Sequence, residues 1–216
     1  MPLYSVRPHS LGNKTETVYM GLLKDILQRL YPYSICRTGK AVYLTFDDGP
    51  IPEVTPQVLD ILDKYKVKAT FFMVGENIDK HPDVYRQVVQ AGHAVGNHTY
   101  NHLQGWKVNT SQYLDNVAKF PAETHLFRPP HGRATIRQRK ALTEMGYKIY
   151  LWDVLTRDYN PHRSPEAMLR TIKRQARSGS IINFHDSLKS NERMLAVLPK
   201  AIEWLQQQGY KLERID

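Results

Sequence analysis

The stretch AVYLTFDDGPIPEVTPQVLDILDKY, residues 41–65, joins a β-rich run to a helical pattern through a turn with two adjacent carboxylates. The run Ala41–Phe46 predicts a strand. Thr55 as the cap and Pro56 in the first turn predict the start of a helix, and apolar residues at helical spacing follow them. The same order of strand, loop and helix recurs along the chain. This alternation predicts a largely parallel sheet that is covered by helices.

Seven runs are candidate strands of that sheet. They are Ala41–Phe46, Lys68–Val74, His93–Val95, Leu126–Phe127, Lys148–Trp152, Ser180–Phe184 and Tyr210–Glu213. A second helix is predicted to start at the cap Ser164, and the final helix to stop at Gly209. Seven strands fit either an incomplete barrel or a doubly wound open sheet. We find no internal repeat or linker, so we expect a single domain.

The composition limits the classes of partner. The chain has 216 residues and a formal net charge of +9, which permits attraction to nucleic acid, an anionic membrane surface or an acidic polymer. It has no zinc-finger spacing, RNA-binding aromatic signature or basic-region heptads, so we do not expect a nucleic-acid partner. Cys36 is the only cysteine, which excludes an intrachain disulfide.

Residues 1–40 form a predicted N-terminal segment ahead of the domain. Apolar residues recur there at the spacing of a short amphipathic helix: Met20, Leu23, Ile26, Leu27 and Leu30. Contact of this helix with a membrane surface is a weaker alternative. The segment shows neither a signal peptide nor a run that could span a bilayer. The default expectation is therefore cytoplasmic, with export or surface association left open.

Titratable side chains follow five of the seven predicted strands. In parallel α/β folds the carboxyl ends of the strands form one rim, where active sites assemble. We therefore expect one site at this rim, built from Asp47, Asp48, His98, His102, Arg128, Asp153, Asp158, His185 and Asp186.

Two pairs of these residues point to a metal. Adjacent carboxylates such as Asp47 and Asp48 repel each other unless a cation lies beside them. His98 and His102 are four residues apart, so in a helical turn their rings would share one face and could bind one ion. Two histidines and one carboxylate leave coordination positions open for water and substrate, which is typical of catalytic sites. The pairs therefore predict a metal-dependent hydrolase.

The remaining rim residues suit proton transfer. Arg128 precedes two prolines that stiffen the backbone, and its guanidinium could hold a carboxylate in the ionised form. His185 could protonate a leaving group, and Asp158 could orient the imidazole of His185.

Five motifs carry a resemblance to a known family. In chain order they are TFDDGP (45–50), HTYNH (98–102), RPPHG (128–132), LWDVLTRD (151–158) and INFHD (182–186). The set resembles the polysaccharide deacetylase family, also called the NodB-homology domain or carbohydrate esterase family 4, over residues 41–216. The resemblance implies an α/β fold, a distorted (β/α)7 barrel in one catalytic domain. It also implies hydrolytic removal of acetyl groups from an N-acetylated glycan.

Roles for the matching residues follow from the resemblance. Asp47 would be the catalytic base, positioned by Arg128, and His185 would be the acid, tuned by Asp158. One divalent ion would be bound by Asp48, His98 and His102. The ion would usually be Zn²⁺, although such ligands also suit Co²⁺, Mn²⁺ or Fe²⁺.

The implied substrate pocket departs from the usual family pattern. His131, whose backbone N–H would hold the oxyanion, stands where Tyr is common, and Pro130 precedes it. Leu155 replaces a second Asp, Tyr159 replaces a Trp, and Asn183 replaces a Leu. Tyr159 and Asn183 would line the space for the acetyl methyl group, so the resemblance implies an unusually polar pocket.

Three functions remain open at this point. The leading one is N-deacetylation of peptidoglycan-like strands or chitooligosaccharides. O-deacetylation of acetylated xylan would use the same site. A carbohydrate- or metal-binding protein without turnover is the third, although binding alone needs neither the base Asp47 nor the acid His185.

Overall fold

The structure, a computed structural model, describes residues 39–216. The amphipathic helix and the membrane contact predicted for residues 1–40 lie outside the described residues. The domain boundary at residue 40 stays a prediction. Within residues 39–216, no helix is both long enough and apolar enough to cross a membrane.

Strands and helices alternate along the described residues, as the sequence predicts. The strands are β1 Ala41–Asp47, β2 Thr70–Met73, β3 Ala94–Asn97, β4 Leu126–Phe127, β5 Lys148–Ile149, β6 Val154–Leu155, β7 Ile181–His185 and β8 Lys211–Glu213. The α-helices are α1 Thr55–Lys64, α2 Gly75–Lys80, α3 Pro82–Gln90, α4 Thr110–Ala118, α5 Ile136–Glu144, α6 Pro165–Gln175 and α7 Asn191–Gln207. Two 3₁₀ turns span Gly105–Lys107 and Pro130–Gly132.

All the strands belong to one parallel sheet in the order β5-β4-β3-β2-β1-β7-β6. The remaining strand, β8, pairs in parallel with the first three residues of β1. Among the described residues no ladder joins β5 to β6, so the curled sheet is an incomplete barrel. The predicted α/β fold, a distorted (β/α)7 barrel in one domain, is confirmed. Each of the seven predicted strands is present, and the two-residue β6 is an addition that the sequence analysis missed.

The centre of the sheet holds the core that fixes the rim. Alternate residues of β1, Val42, Leu44 and Phe46, are fully buried. The Phe46 ring lies 5.0 Å from that of Phe71 on β2 and 5.7 Å from that of Phe184 on β7. Each such side chain stabilises the fold by about 1.5–3 kcal/mol on burial. The carboxyl ends of β1, β2 and β7 are therefore held rigidly together.

One of the two predicted helix caps is wrong. Ser164 caps α6 by accepting a hydrogen bond from the backbone N–H of Ala167, as predicted. At α1 the N-cap residue is Val54, and Thr55 is the first helical residue. The Thr55 hydroxyl instead accepts from the N–H of Ile51 and donates to the carboxylate of Asp186. The Thr55 hydroxyl thus connects the loop before α1 to Asp186 at the rim of the sheet.

Candidate active site

A cavity of about 430 Å³ opens at the carboxyl ends of the strands. Six strands contribute to it through their ends or the loops that follow them. The lining residues are Asp47, Asp48, His98, His102, His131, Trp152, Leu155, Tyr159, His185, Ser187 and Lys189. The structure thus brings together at one rim most of the residues that the sequence singled out.

Three potential metal ligands meet on one wall of this cavity. One ligand atom from each of Asp48, His98 and His102 lies within 4.8 Å of the other two. Oδ1 of Asp48 is 3.4 Å from Nε2 of His102 and 3.9 Å from Nε2 of His98. This oxygen is buried and has no hydrogen-bond partner among the described residues. A buried unpaired carboxylate oxygen is costly, and a divalent cation between these nitrogen and oxygen ligands would satisfy it.

His98 is prepared to act as a neutral ligand. Its Nδ1 lies 2.7 Å from the carbonyl oxygen of Arg128, so the proton on Nδ1 is donated there and Nε2 is left as an acceptor. Burial lowers the pKa of His98 to about 4, which keeps the ring uncharged at neutral pH. Both effects leave the lone pair on Nε2, the ring nitrogen that lies 3.9 Å from Oδ1 of Asp48.

The prediction that His98 and His102 share a helical turn is wrong. Residues 98–104 form a loop after β3, not a helix. Thr99 and His102 have positive φ angles of 66° and 56°, and this backbone brings the two rings to a centroid separation of 5.2 Å. Asp48 also has a positive φ, of 86°. Non-glycine residues with such angles are strained and are concentrated at functional sites.

The carboxylate of Asp47, the residue before the potential metal ligand Asp48, is almost fully buried. Its Oδ1 accepts a 2.7 Å hydrogen bond from Nη1 of Arg128. Burial alone would raise the pKa of Asp47, but the charge of Arg128, with that of His185, outweighs it and lowers the pKa. Asp47 is therefore ionised at neutral pH and can accept a proton.

Arg128 is itself completely buried and held at each nitrogen of its guanidinium. Nε donates to the carbonyl of Tyr150, and Nη2 to that of Leu151. Nη1 donates to Thr45 and Asn183 as well as to Asp47. The guanidinium carbon also lies 4.0 Å from the ring centroid of Phe72. This network connects Arg128 to Asp47, and the positioning role expected of Arg128 stays a prediction.

Asn183 does not line the cavity, contrary to the expectation that it reaches the acetyl group. Its side chain is fully buried, and both of its polar atoms form hydrogen bonds to buried neighbours. Nδ2 donates to Oδ2 of Asp47 at 3.0 Å, and Oδ1 accepts from Arg128 and Thr45. Asn183 thus binds the Asp47 oxygen that Arg128 leaves free.

His185 faces the cavity from the end of β7. Its Nδ1 lies 2.8 Å from Oδ1 of Asp158, whose Oδ2 accepts the backbone N–H of His185. Burial disfavours the imidazolium, but the hydrogen bond and the charge of Asp158 outweigh it and raise the pKa of His185 to about 9. The ring is therefore protonated at neutral pH, and its Nε2–H can be donated to a bound molecule.

His131 occupies the turn Pro130–Gly132 with a positive φ of 56°. Its backbone N–H donates to no group among residues 39–216, whereas those of Gly132 and Arg133 donate to Pro129 and Pro130. The ring of His131 packs edge-on against His102 at 4.9 Å. Pro130 is buried and is not among the residues that line the cavity, so its contact with substrate stays a prediction.

Sequence reasoning missed three residues that line the cavity: Trp152, Ser187 and Lys189. Trp152 follows β5 in the motif LWDVLTRD, so an aromatic residue at a strand end was the available signal. Its ring packs against Gly132, where an added Cβ would lie 2.8 Å from the indole. Tyr159 is 43% exposed at the cavity mouth, edge-on to His185 at 5.0 Å. With Leu155 these rings give one side of the cavity an apolar surface.

Asp186, which the sequence analysis also placed at the rim, forms hydrogen bonds to the loop that follows Asp48. Its carboxyl accepts from the N–H of Gly49 at 3.0 Å and from the hydroxyl of Thr55 at 2.7 Å. A Cβ at Gly49 would lie 2.1 Å from Asp186, so only glycine fits there. Burial raises the pKa of Asp186 to about 8. This buried group connects the end of β7 to the loop that carries Asp48.

This chain is similar to known proteins over most of its length. Residues 34–150 match the family model described as polysaccharide deacetylase. A peptidoglycan-N-acetylglucosamine deacetylase of Bacillus cereus is 36% identical over 188 residues, which cover 83% of this chain and 88% of the relative. A chitooligosaccharide deacetylase of Azorhizobium caulinodans is 32% identical over 200 residues, covering 83% and 94%.

Solved structures agree in fold. The crystal structure of the Bc1960 peptidoglycan N-acetylglucosamine deacetylase superposes with a TM-score of 0.81 at 32% identity, and the match covers 85% of this chain and 89% of that one. The family matches over more than half of the chain, and the relatives match over most of it. The chain therefore belongs to the polysaccharide deacetylase family, a family of metal-dependent enzymes.

Proposed function

We propose that this chain hydrolyses the N-acetyl groups of an N-acetylglucosamine-containing glycan, such as peptidoglycan strands or chitooligosaccharides. One observation carries the proposal. The unpaired oxygen of Asp48 faces two imidazole nitrogens in a cavity that also holds an ionised carboxylate, Asp47, and a protonated imidazole, His185. A base and an acid beside a metal-ligand set suit hydrolysis of an unreactive amide. The names of the two relatives support the substrate class.

Asp48, His98 and His102 would hold the divalent ion. We propose Zn²⁺, which favours nitrogen and oxygen ligands with an open position, although Co²⁺, Mn²⁺ and Fe²⁺ accept the same set. When bound, such an ion supplies Lewis acidity to the acetyl carbonyl and to the attacking water.

Asp47 is the proposed base. Its carboxylate accepts one proton as the water oxygen attacks the acetyl carbon and the carbonyl π electrons move onto oxygen. Arg128 and Asn183 each bind one of its oxygens, so the group is oriented and ionised before substrate arrives. The backbone N–H of His131 has no partner among residues 39–216 and is available to hold the oxyanion.

His185 is the proposed acid. As the tetrahedral intermediate collapses, the carbon–nitrogen bond breaks and its electron pair passes to nitrogen, which takes the proton from Nε2 of His185. The products are acetate and a free amino sugar. Asp158 holds Nδ1 of the ring and keeps it protonated until that step, which is a positioning role.

Trp152, Leu155 and Tyr159 form the proposed surface that contacts the acetyl methyl and the sugar face. Indole and phenol rings pack well against the C–H faces of sugars because they are large, rigid and amphipathic. Trp152 and Leu155 preserve an apolar surface in this cavity although Asn183 replaces the usual leucine beneath it.

Acetate release tests the proposal. The purified chain is treated with a chelator, dialysed, and given one equivalent of Zn²⁺, with N-acetylglucosamine tetramer or acetylated xylan as substrate. We expect acetate from the tetramer only after the ion is restored. Release from xylan alone would favour O-deacetylation. Absence of release from both, with the ion bound, would favour the binding protein without turnover.

A further inference from the structure

A basic groove leads away from the reaction cavity along helix α6. Two hollows of about 420 and 560 Å³ lie there, and both are lined by Arg163, Thr171 and Arg174. The smaller one is also lined by Trp152 and Leu155, which belong to the reaction cavity as well. The groove and the proposed active site therefore adjoin at Trp152 and Leu155.

The groove is strongly cationic. Its lining contains one carboxylate, Asp153, against five cations: Arg157, Arg163, Arg170, Lys173 and Arg174. Asp153 already accepts the backbone N–H of Ile181. Within residues 39–216 no ion pair joins any of the four arginines to a carboxylate. Glu166, one turn before Arg170 on α6, forms no such ion pair among the described residues, although it interacts with Arg170 electrostatically.

Arg163 fixes the geometry of the groove. Its Nε donates to the carbonyl of Thr156, and its Nη2 donates to the carbonyl of Ala167 and to the hydroxyl of Thr171. One guanidinium thus connects the end of β6 to α6. Arg170 and Arg174 are four residues apart on that helix, so their exposed guanidinium groups share one face.

We propose that this groove is a subsite for carboxylate groups carried by the glycan strand. A guanidinium presents a planar pair of N–H donors that matches a carboxylate. A strand long enough to leave the reaction cavity past Trp152 would lay neighbouring sugars along α6. The inference rests on the proposed function and adds to it a preference for strands that carry carboxylates.

The test compares matched substrates. Peptide-free peptidoglycan strands carry one carboxylate on each N-acetylmuramic acid, and methyl esterification removes that charge without shortening the strand. We expect wild-type protein, reloaded with Zn²⁺, to have a lower KM for the free acid than for the ester. Because the contacts are exposed, 0.5 M salt should remove most of the difference.

Matched variants show whether the lower KM for acidic strands depends on the arginines of the groove. R170Q/R174Q removes two charges from the groove, and K64Q/K119Q removes two from exposed positions elsewhere, at the end of α1 and just after α4. We expect R170Q/R174Q to raise KM for the acidic strands by about three- to tenfold. Its kcat, and its KM for the ester and for the neutral tetramer, should not change. The single variant R170Q should give a smaller shift in the same direction.

Two outcomes would overturn the inference: equal KM for acid and ester, or an equal loss in K64Q/K119Q. Failure of the proposed function is distinguishable, since it would remove acetate release from every substrate. Binding of fluorescently labelled strands to chelator-treated protein tests the groove even then. Weaker binding by R170Q/R174Q alone supports the subsite, and unchanged binding refutes it.

Discussion

Replacing Arg128 by methionine should remove the support of the proposed base. Arg128 is fully buried and makes five hydrogen bonds, and the side chain of its partner Asp47 is only 3% exposed. Removing one partner of a buried ion pair strands the other charge and costs about 3–5 kcal/mol. In a domain of this size that loss lowers Tm by about 6–20 °C. Deacetylation should fall by about 10²–10⁴-fold, the range of a lost general base.

The loss of unfolding free energy in R128M should depend on pH in a defined direction. Without the guanidinium, burial raises the pKa of Asp47 above its unfolded value, so the folded state of the variant prefers the neutral acid. The deficit in unfolding free energy should therefore be largest at pH 7 and shrink as the pH falls toward 4. Urea unfolding of chelator-treated protein at several pH values measures it. Chelation keeps metal binding out of the comparison.

Two further variants make the reasoning refutable. R128M/D47N has no buried charge to strand, so it should regain part of the stability lost in R128M while remaining inactive. R86M removes an exposed arginine whose ion pair with Asp83 lies at the surface, and should change stability by less than about 1 kcal/mol. A loss in R128M no larger than in R86M, or no recovery in the double variant, would refute the argument.

Three other predictions concern neighbouring groups. Asp158→Asn should shift the basic limb of kcat against pH downward by about two pH units or more, because burial then lowers the pKa of His185 from about 9 and the active form is the protonated one. An unmoved limb would exclude His185 as the acid. Asn183→Leu should lower kcat and cost about 1–3 kcal/mol of stability without raising KM, since the side chain binds Asp47 and does not line the cavity; steady-state kinetics and urea unfolding check both, and a raised KM with unchanged kcat would contradict this. Asp186 has a pKa raised to about 8, so it should reduce the unfolding free energy as pH rises from 4 to 8, and Asp186→Asn should show a weaker pH dependence in urea unfolding; an identical dependence would contradict the assignment.

Much of the site could be predicted because parallel strands bring distant residues to one rim. The strand–helix alternation can be read from apolar periodicity. The residues that lie at or just after the end of a buried strand are Asp47, Asp48, His98, Arg128 and His185. The two-residue β6 was missed because so short a run has no periodicity. This strand contains Leu155 and is followed by Asp158. Because β6 was not predicted, Asp158 was assigned to the end of the strand before it, β5.

Other features depend on backbone angles and side-chain packing that the sequence does not display. The His98/His102 pair has the spacing of a helical turn, yet positive φ angles at Thr99 and His102 bring the rings together in a loop. Asn183 was expected in the pocket because the family position contacts substrate. Its amide instead turns to Asp47 and Arg128, where buried polar groups needed partners.

Two expectations concerning partners remain predictions. The chain belongs to a family of glycan deacetylases, and this membership supports an acetylated glycan as the substrate. The expected lack of a nucleic-acid partner and the membrane contact of the N-terminal helix are untested by the described residues.

Metal binding and turnover measured on the same three proteins test the central claim most directly. Chelator-treated wild type, D48A and D47N are titrated with Zn²⁺ by calorimetry and then assayed for acetate release from N-acetylglucosamine tetramer. We predict one ion per chain and full activity in wild type, loss of both in D48A, and retained ion binding without turnover in D47N. Tight binding and activity in D48A, or full activity in D47N, would contradict the division of this site into metal ligands and base.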